Sequence, residues 1–174
     1  MKKLILTFLL FFFCNNNVYA NNIFYLDIQY IIDNSEIGIF YKNKIKLVQD
    51  QNNSNLKNVE DEIKNKEIEI NNQKNILSSE EIKKKVNNLN ELIKKYQIKR
   101  NEYNGNIIEL KKKYTSKIIN QLNPLLTQYV DKNDIKLVVD KKNILVGIKS
   151  LDVTKNILEI LNEETKNKKL IDED

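Results

Sequence analysis

Apolar residues recur at seven-residue spacing in two consecutive runs, and no other feature limits the fold so strongly. In the first run, Leu56, Ile63, Ile70 and Leu77 fall seven apart and Val59 lies three after Leu56. Ile45 and Val48 carry the stripe back toward residue 42. The second run is Ile82, Val86, Leu89, Ile93, Tyr96, Arg100, Tyr103, Ile107, Leu110 and Tyr114, continuing through Ile118, Leu122 and Leu125. As far as Tyr114 its steps alternate between four and three, which is the spacing of helices packed along a seam. Between the runs, Ser78 and Glu81 fit a capping box, in which each side chain satisfies an orphan backbone N–H at a helix start. The pattern therefore predicts an antiparallel helical hairpin spanning residues 42–122, with its tip near 78–80. The 36 residues from Lys42 to Leu77 would span about 54 Å. Polar residues at Asn52, Lys66, Gln73 and Arg100 make the seam imperfect. Gly105 is a weak point worth ~1 kcal/mol against Ala. Pro124 should kink or end the second helix, placing the base of the hairpin near it.

The flanks follow different periods. Ile23 to Ile28 is rich in β-branched and aromatic residues and reads as a strand. Gln29 to Ile32 can form a helical turn, and Asn34 or Ser35 is placed to cap the first long helix. After Asn133, Leu137 to Asp140 and Ile144 to Ile148 read as two further strands joined by a turn at 140–143. Asp152 or Thr154 can cap a last helix through about Asn162, and the charged tail from Glu163 is expected to fray. The fold class expected is α+β: a small three-strand body from residues 21–41 and 123–174, with the hairpin inserted as an arm. About 73 residues in the body can hardly bury a self-sufficient core, and its strand edges need partners. Oligomerisation through the body is the expected solution, with Phe24, Leu26, Ile28, Leu137, Val139 and Leu145 as the shared core.

The first twenty residues read as a signal peptide. Lys2 and Lys3 precede the apolar run from Leu4 to Phe13, and Val18-Tyr19-Ala20 fits a signal-peptidase site. Ten apolar residues are too few to span a bilayer as an ordinary helix. Phe13 stands before Cys14 where a lipobox needs a small residue, so no lipid anchor is expected. The expected product is an exported protein, soluble after cleavage, with neither thiol nor disulfide, held by packing or assembly.

Composition removes most enzyme chemistry. The chain has no His, so it offers no side chain naturally poised as a general base near neutral pH. Gly38, Gly105 and Gly147 are its only glycines, and none belongs to a phosphate-cradling pattern. Consecutive acidic residues at 60–62 would point around a helix rather than at one cation, and no metal or other cofactor is expected. Residues 42–130 hold 18 Lys/Arg and 11 Asp/Glu, a net +7, while the rest of the chain after residue 20 is net −4. Most of these lysines read as the solvated face of a coiled coil. Two runs, Lys83-Lys84-Lys85 and Lys111-Lys112-Lys113, favour attraction to acidic, unfolded or lipid-bearing clients. The export signal argues against nucleic acid as partner.

The order of these elements resembles the OmpH/Skp periplasmic chaperones. Tyr25-Leu26-Asp27-Ile28-Gln29, followed by Ile31-Ile32-Asp33-Asn34-Ser35, is similar to that family's first strand and turn. Ile135-Lys136-Leu137-Val138-Val139-Asp140 resembles its second strand, and Leu151-Asp152-Val153-Thr154 the opening of its last helix. The resemblance implies a homotrimer whose strands combine in a β-barrel-like core, with three arms around a cavity. It implies an ATP-independent holdase for unfolded outer-membrane proteins in the periplasm. It adds anionic lipid or lipopolysaccharide to the partners, although no residue pattern here marks such a site. The alternative is a structural or adaptor coiled coil of the cell envelope, which would favour a tighter seam.

Overall fold

The computed structural model describes residues 23–167; the expected signal peptide and the last residues of the tail lie outside them. Strand β1 (Ile23–Leu26) leads into helix α1 (Ile28–Asn34). Two long helices follow, α2 (Glu36–Gln73) and α3 (Ser79–Lys132). Strand β2 (Leu137–Asp140), two 3-10 turns (Lys141–Asn143 and Lys149–Leu151) and helix α4 (Thr154–Asn167) complete the chain.

At ~1.5 Å per residue, the 38 residues of α2 reach about 57 Å and the 54 residues of α3 about 81 Å. They run antiparallel as a hairpin. Leu56, Val59, Ile63 and Ile70 of α2 are half-buried, as are Ile82, Leu89, Ile93, Tyr96 and Tyr103 of α3. The polar seam positions Asn52, Lys66 and Gln73 are half-buried too, whereas Arg100 is exposed. Val86, expected on the seam, is exposed, and Lys85 and Leu92 turn inward beside it. A strict heptad drifts around a straight 3.6-residue helix, so the inward face shifts by a position along its length.

The helix ends are chemically defined. Ser35 caps α2, accepting from the Gly38 N–H at 3.1 Å. Ser78 and Glu81 form the complete capping box at the start of α3. The first long helix stops at Gln73, four residues short of the expected end, and residues 74–77 form the turn. Helix α3 ends in a Schellman arrangement, with the Ile135 N–H bonding the Val130 carbonyl at 3.0 Å and Asp134 at φ 50°. Pro124 neither ends nor splits α3, which continues to Lys132. Its ring is exposed, and packing of Leu122 and Leu125 on either side outweighs the single missing N–H.

The body core joins both ends of the chain. Leu26, Ile31, Ile37, Tyr41, Ile118, Leu122, Leu125, Val153, Ile157 and Leu161 form one buried cluster. Strands β1 and β2 pair in parallel, with Phe24 beside Val138 and Leu26 beside Asp140. A single further bridge joins Tyr25 to Asp152. The expected third strand is not formed: residues 144–148 are irregular, with Leu145 fully exposed, Val146 92% and Ile148 65% exposed. A strand exists only through a neighbour for its N–H and C=O groups, and here the segment is held instead by 3-10 turns at either end. The anticipated turn at 140–143 is the first of these, capped by Asp140 through the Lys142 N–H at 3.2 Å. The last helix passes Asn162 and reaches Asn167, because Thr165 is buried and Lys166 pairs with Glu36 at 2.8 Å.

Candidate functional site

The lysines singled out in the sequence lie on α3 at opposite ends of the arm. Lys83 and Lys84 are exposed beside the tip. Lys85 is half-buried and reaches across the hairpin to Glu69 at 2.6 Å. The hydrogen bond from Lys85, with its positive charge, holds the Glu69 carboxyl below the usual carboxylate range. Lys85 is thereby part of the interhelix contact, and Lys83 and Lys84 are left as the outward cations of that run. Lys111, Lys112 and Lys113 are exposed near the base, with the Lys113 ammonium 5.9 Å from the centre of the Tyr114 ring.

Polar side chains, not apolar ones alone, tie the arm's two helices together. The Tyr96 hydroxyl donates to Glu60, and the Asn55 amide donates to the Tyr103 hydroxyl at 3.4 Å. The Glu60 carboxylate raises the Tyr96 pKa, since losing the phenolic proton would break that bond and place two anions together. Nearer the base, Tyr41 and Tyr114 stack with centroids 4.2 Å apart and planes 7° from parallel. Neither the Glu60–Tyr96 bond nor the tyrosine stack figured in the sequence reading. The signal was present: positions equally distant from the tip face one another in an antiparallel hairpin.

The outer surface of the arm carries isolated apolar residues among its charges. Leu47 is 70% exposed, Ile108 64%, Ile98 51% and Ile68 49%. By the register of the hairpin, Leu47 and Ile108 lie at one level near the base, and Ile68 and Ile98 farther toward the tip.

The six residues assigned to a shared core fall into two groups. Leu26 is almost fully buried within a single chain, and Phe24 and Ile28 pack against the same protomer core. Leu137 is half exposed, Val139 is half-buried and Leu145 is fully exposed. Among the described residues β2 pairs only with β1, so its other edge is open. The exposed apolar side chains of residues 145–148 belong to the same body.

The Asp-x-Thr sequence at 152–154 has a structural task. The Thr154 hydroxyl accepts from the Asp27 N–H at 2.9 Å and donates to Asp152. Asp27 in turn caps α1, its carboxylate accepting from the Tyr30 N–H at 2.9 Å. Lys141 lies 3.7 Å from Asp27 and 3.8 Å from Asp152. The network locks the end of β1 to the start of α4 and to the turn after β2.

A small α+β body carrying a long helical hairpin defines the class, and comparison with known proteins agrees. The model of the OmpH-like outer membrane protein family matches residues 22–161. The chain belongs to the OmpH-like family. A crystal structure of a candidate OmpH-like outer membrane chaperone from Caulobacter crescentus CB15 is similar, with a TM-score of 0.75. The two are 14% identical, and the match covers 83% of this chain and 86% of that one. No curated protein matches the sequence. No helix among the described residues is long and apolar enough to cross a membrane.

Proposed function

We propose that this protein is a periplasmic holdase chaperone, working without ATP, that assembles as a homotrimer through its body and keeps unfolded outer-membrane proteins between its arms. One observation carries the reading: an exposed helical hairpin, basic and dotted with single apolar residues, stands on a body with an open sheet edge. Family membership and the similar candidate chaperone support a chaperone role.

The mechanism divides between long and short range. The net +7 of residues 42–130 attracts acidic segments of a client over about one Debye length, ~8 Å at physiological salt. Leu47, Ile68, Ile98 and Ile108 then offer contacts too small and too scattered to hold a client alone. Several such contacts together retain it by multivalency. Each remains weak enough to release without an energy source. Residues 1–20 act as the export signal, 21–41 and 123–174 as the assembly body, and 42–122 as the client-holding arm. In the trimer, residues 137–140 and 144–148 of neighbouring protomers complete the sheet that one chain leaves open. The same positive surface suits anionic lipid, including lipopolysaccharide, as a secondary partner.

The test is dilution of a urea-unfolded β-barrel protein into buffer without nucleotide, read by light scattering. Addition of the mature chain at a threefold molar excess of trimer should suppress aggregation. Undiminished scattering under those conditions overturns the holdase reading.

A further inference from the structure

A cleft of about 470 Å³ opens in the crook where α1 turns into α2, against the flank of α3. That size lies within the ~300–1,000 Å³ of small-ligand sites and admits one large aromatic side chain. The cleft wall is apolar: half-buried Ile45 and Tyr114 face it, backed by buried Ile118 and by Tyr41, which stacks on Tyr114 and carries the Lys117 ammonium 5.7 Å from its ring centre. Its rim is cationic. Lys42 and Lys46 stand one turn apart on α2, and Lys111 reaches in from α3, against the single carboxylate of Asp33. All three lysines are exposed, and among the described residues none forms an ion pair.

Three cations against one carboxylate around an aromatic wall complement a ligand that presents a flat ring and a negative charge close together. An acyl chain, even with an anionic head, lacks the flat face that stacks on a tyrosine, and a bare anion would leave the wall unanswered. We propose that this crook binds an aromatic residue adjacent to a carboxylate in an extended peptide. The ring lies against Tyr114 and Ile45, and the carboxylate faces Lys42, Lys46 and Lys111. The proposal rests on the chaperone reading only in that an unfolded client supplies the peptide. It gives the base of each arm a sequence-selective contact, where the rest of the arm offers charge and scattered apolar side chains.

The chain contains no Trp, so a Trp-containing peptide can be followed by its own fluorescence. The probe is the acetylated and amidated tetrapeptide Gly-Trp-Asp-Gly, titrated with the mature chain in low salt. Gly-Trp-Lys-Gly is the charge control. Saturable binding with a blue-shifted emission is expected for the Asp peptide, and at least tenfold weaker binding for the Lys peptide. The triple change Lys42→Glu, Lys46→Glu, Lys111→Glu should remove the preference. The triple change Lys57→Glu, Lys64→Glu, Lys74→Glu alters net charge equally on the same arm and should leave it within about threefold. Thr115→Tyr should block the cleft, since Thr115 lines it from the exposed side of α3. If circular dichroism finds that variant unfolded, the lysine variants decide. Equal binding of the two peptides, or equal loss in the two triple variants, overturns the crook site. A chain that suppresses aggregation yet fails to discriminate the peptides overturns the crook and leaves the holdase reading intact. Selective peptide binding without suppression does the reverse.

Discussion

Gly38 decides whether α1 can fold back against α2. A Cβ built there would lie 1.8 Å from the Ile32 carbonyl oxygen and 2.9 Å from the Ser35 hydroxyl. The first clash is with backbone, so a rotamer change cannot relieve it. Gly38→Ala should cost about 3 kcal/mol or more by overpacking, seen as a lower urea midpoint with helicity retained in the arm. Gly105 is the contrast, since nothing lies within 4 Å of its missing Cβ, and Gly105→Ala should stabilise by up to ~1 kcal/mol. Thr154→Val keeps the shape but removes the acceptor for the Asp27 N–H and the donor to Asp152. A loss of about 1–3 kcal/mol is expected from leaving partly buried polar groups unpaired. Asp152, the partly buried member of four depressed carboxylates that include Glu69, Glu81 and Asp140, contributes to the pH dependence. Partial burial alone would raise its pKa, but the Thr154 side-chain and backbone hydrogen bonds and Lys141 outweigh it, and the net shift is downward from 3.8. A depressed carboxylate stabilises the fold fully above its unfolded value and loses that contribution as pH falls through its folded value. Chemical denaturation from pH 7 to 2 should therefore be flat until about pH 4 and weaken below it. Asp152→Asn should be less stable at pH 7 and flatter in acid; an unchanged acid limb would assign it to other carboxylates.

At the scale of elements, the arm and the body are stabilised by different chemistry. The body buries Leu26, Ile31, Ile157 and Leu161 almost completely, whereas the outer arm has no side chain buried to that degree. Within the helices, amide exchange should be fastest at residues 70–90 and slowest in α4 and the body end of α3, with the irregular residues 144–148 exchanging fast in a lone protomer. Equal protection along the chain would contradict this. Four outward lysines test charge steering more cleanly than six, because Lys85 is occupied by Glu69 and Lys111 lines the crook. Changing Lys83, Lys84, Lys112 and Lys113 to Glu moves residues 42–130 from +7 to −1. Helicity should persist, since each change is on the surface and worth within ~0.5 kcal/mol. Stopped-flow capture of an acidic client should slow, and its salt dependence should weaken or invert. Unchanged capture in low salt would leave the apolar contacts as the recruiting force. The same division explains what could be read from the sequence. The helices and the Ser78–Glu81 cap were legible because heptad spacing and capping are local signals. Residues 144–148 have the strand composition Ile-Leu-Val-Gly-Ile but form no strand in the single chain, because strand formation depends on a neighbour that composition does not contain. The stop at Gln73 and the passage through Pro124 were missed because turn geometry and tertiary packing overrode the local preferences.

For the whole molecule, the open edge of β2 makes the proposed assembly the property to test. A two-stranded parallel sheet is seldom left uncovered, and Leu145 and Val146 are more than nine-tenths exposed beside it. Leu145→Asp changes a side chain that touches little in one chain, so protomer helicity should survive while light-scattering mass falls from trimer to monomer. Val139→Asp should lower protomer stability as well as mass, because Val139 pairs with Tyr25 across the sheet and is half-buried. A folded, stable monomer of the parent protein at micromolar concentration would overturn the trimer. The pairing of Ile23 with Leu137 has a further consequence, in the order of events by which the chain reaches this shape. The sheet cannot close until a segment of more than a hundred residues brings its ends together, and closure entropy resists that step. Helices form locally and fast, and zipping α2 onto α3 turns that long segment into a rod that delivers β2 to β1. The hairpin thus works first as the chain's own assembly jig, and β1, though first in sequence, must wait for the last quarter of the chain before it has a neighbour.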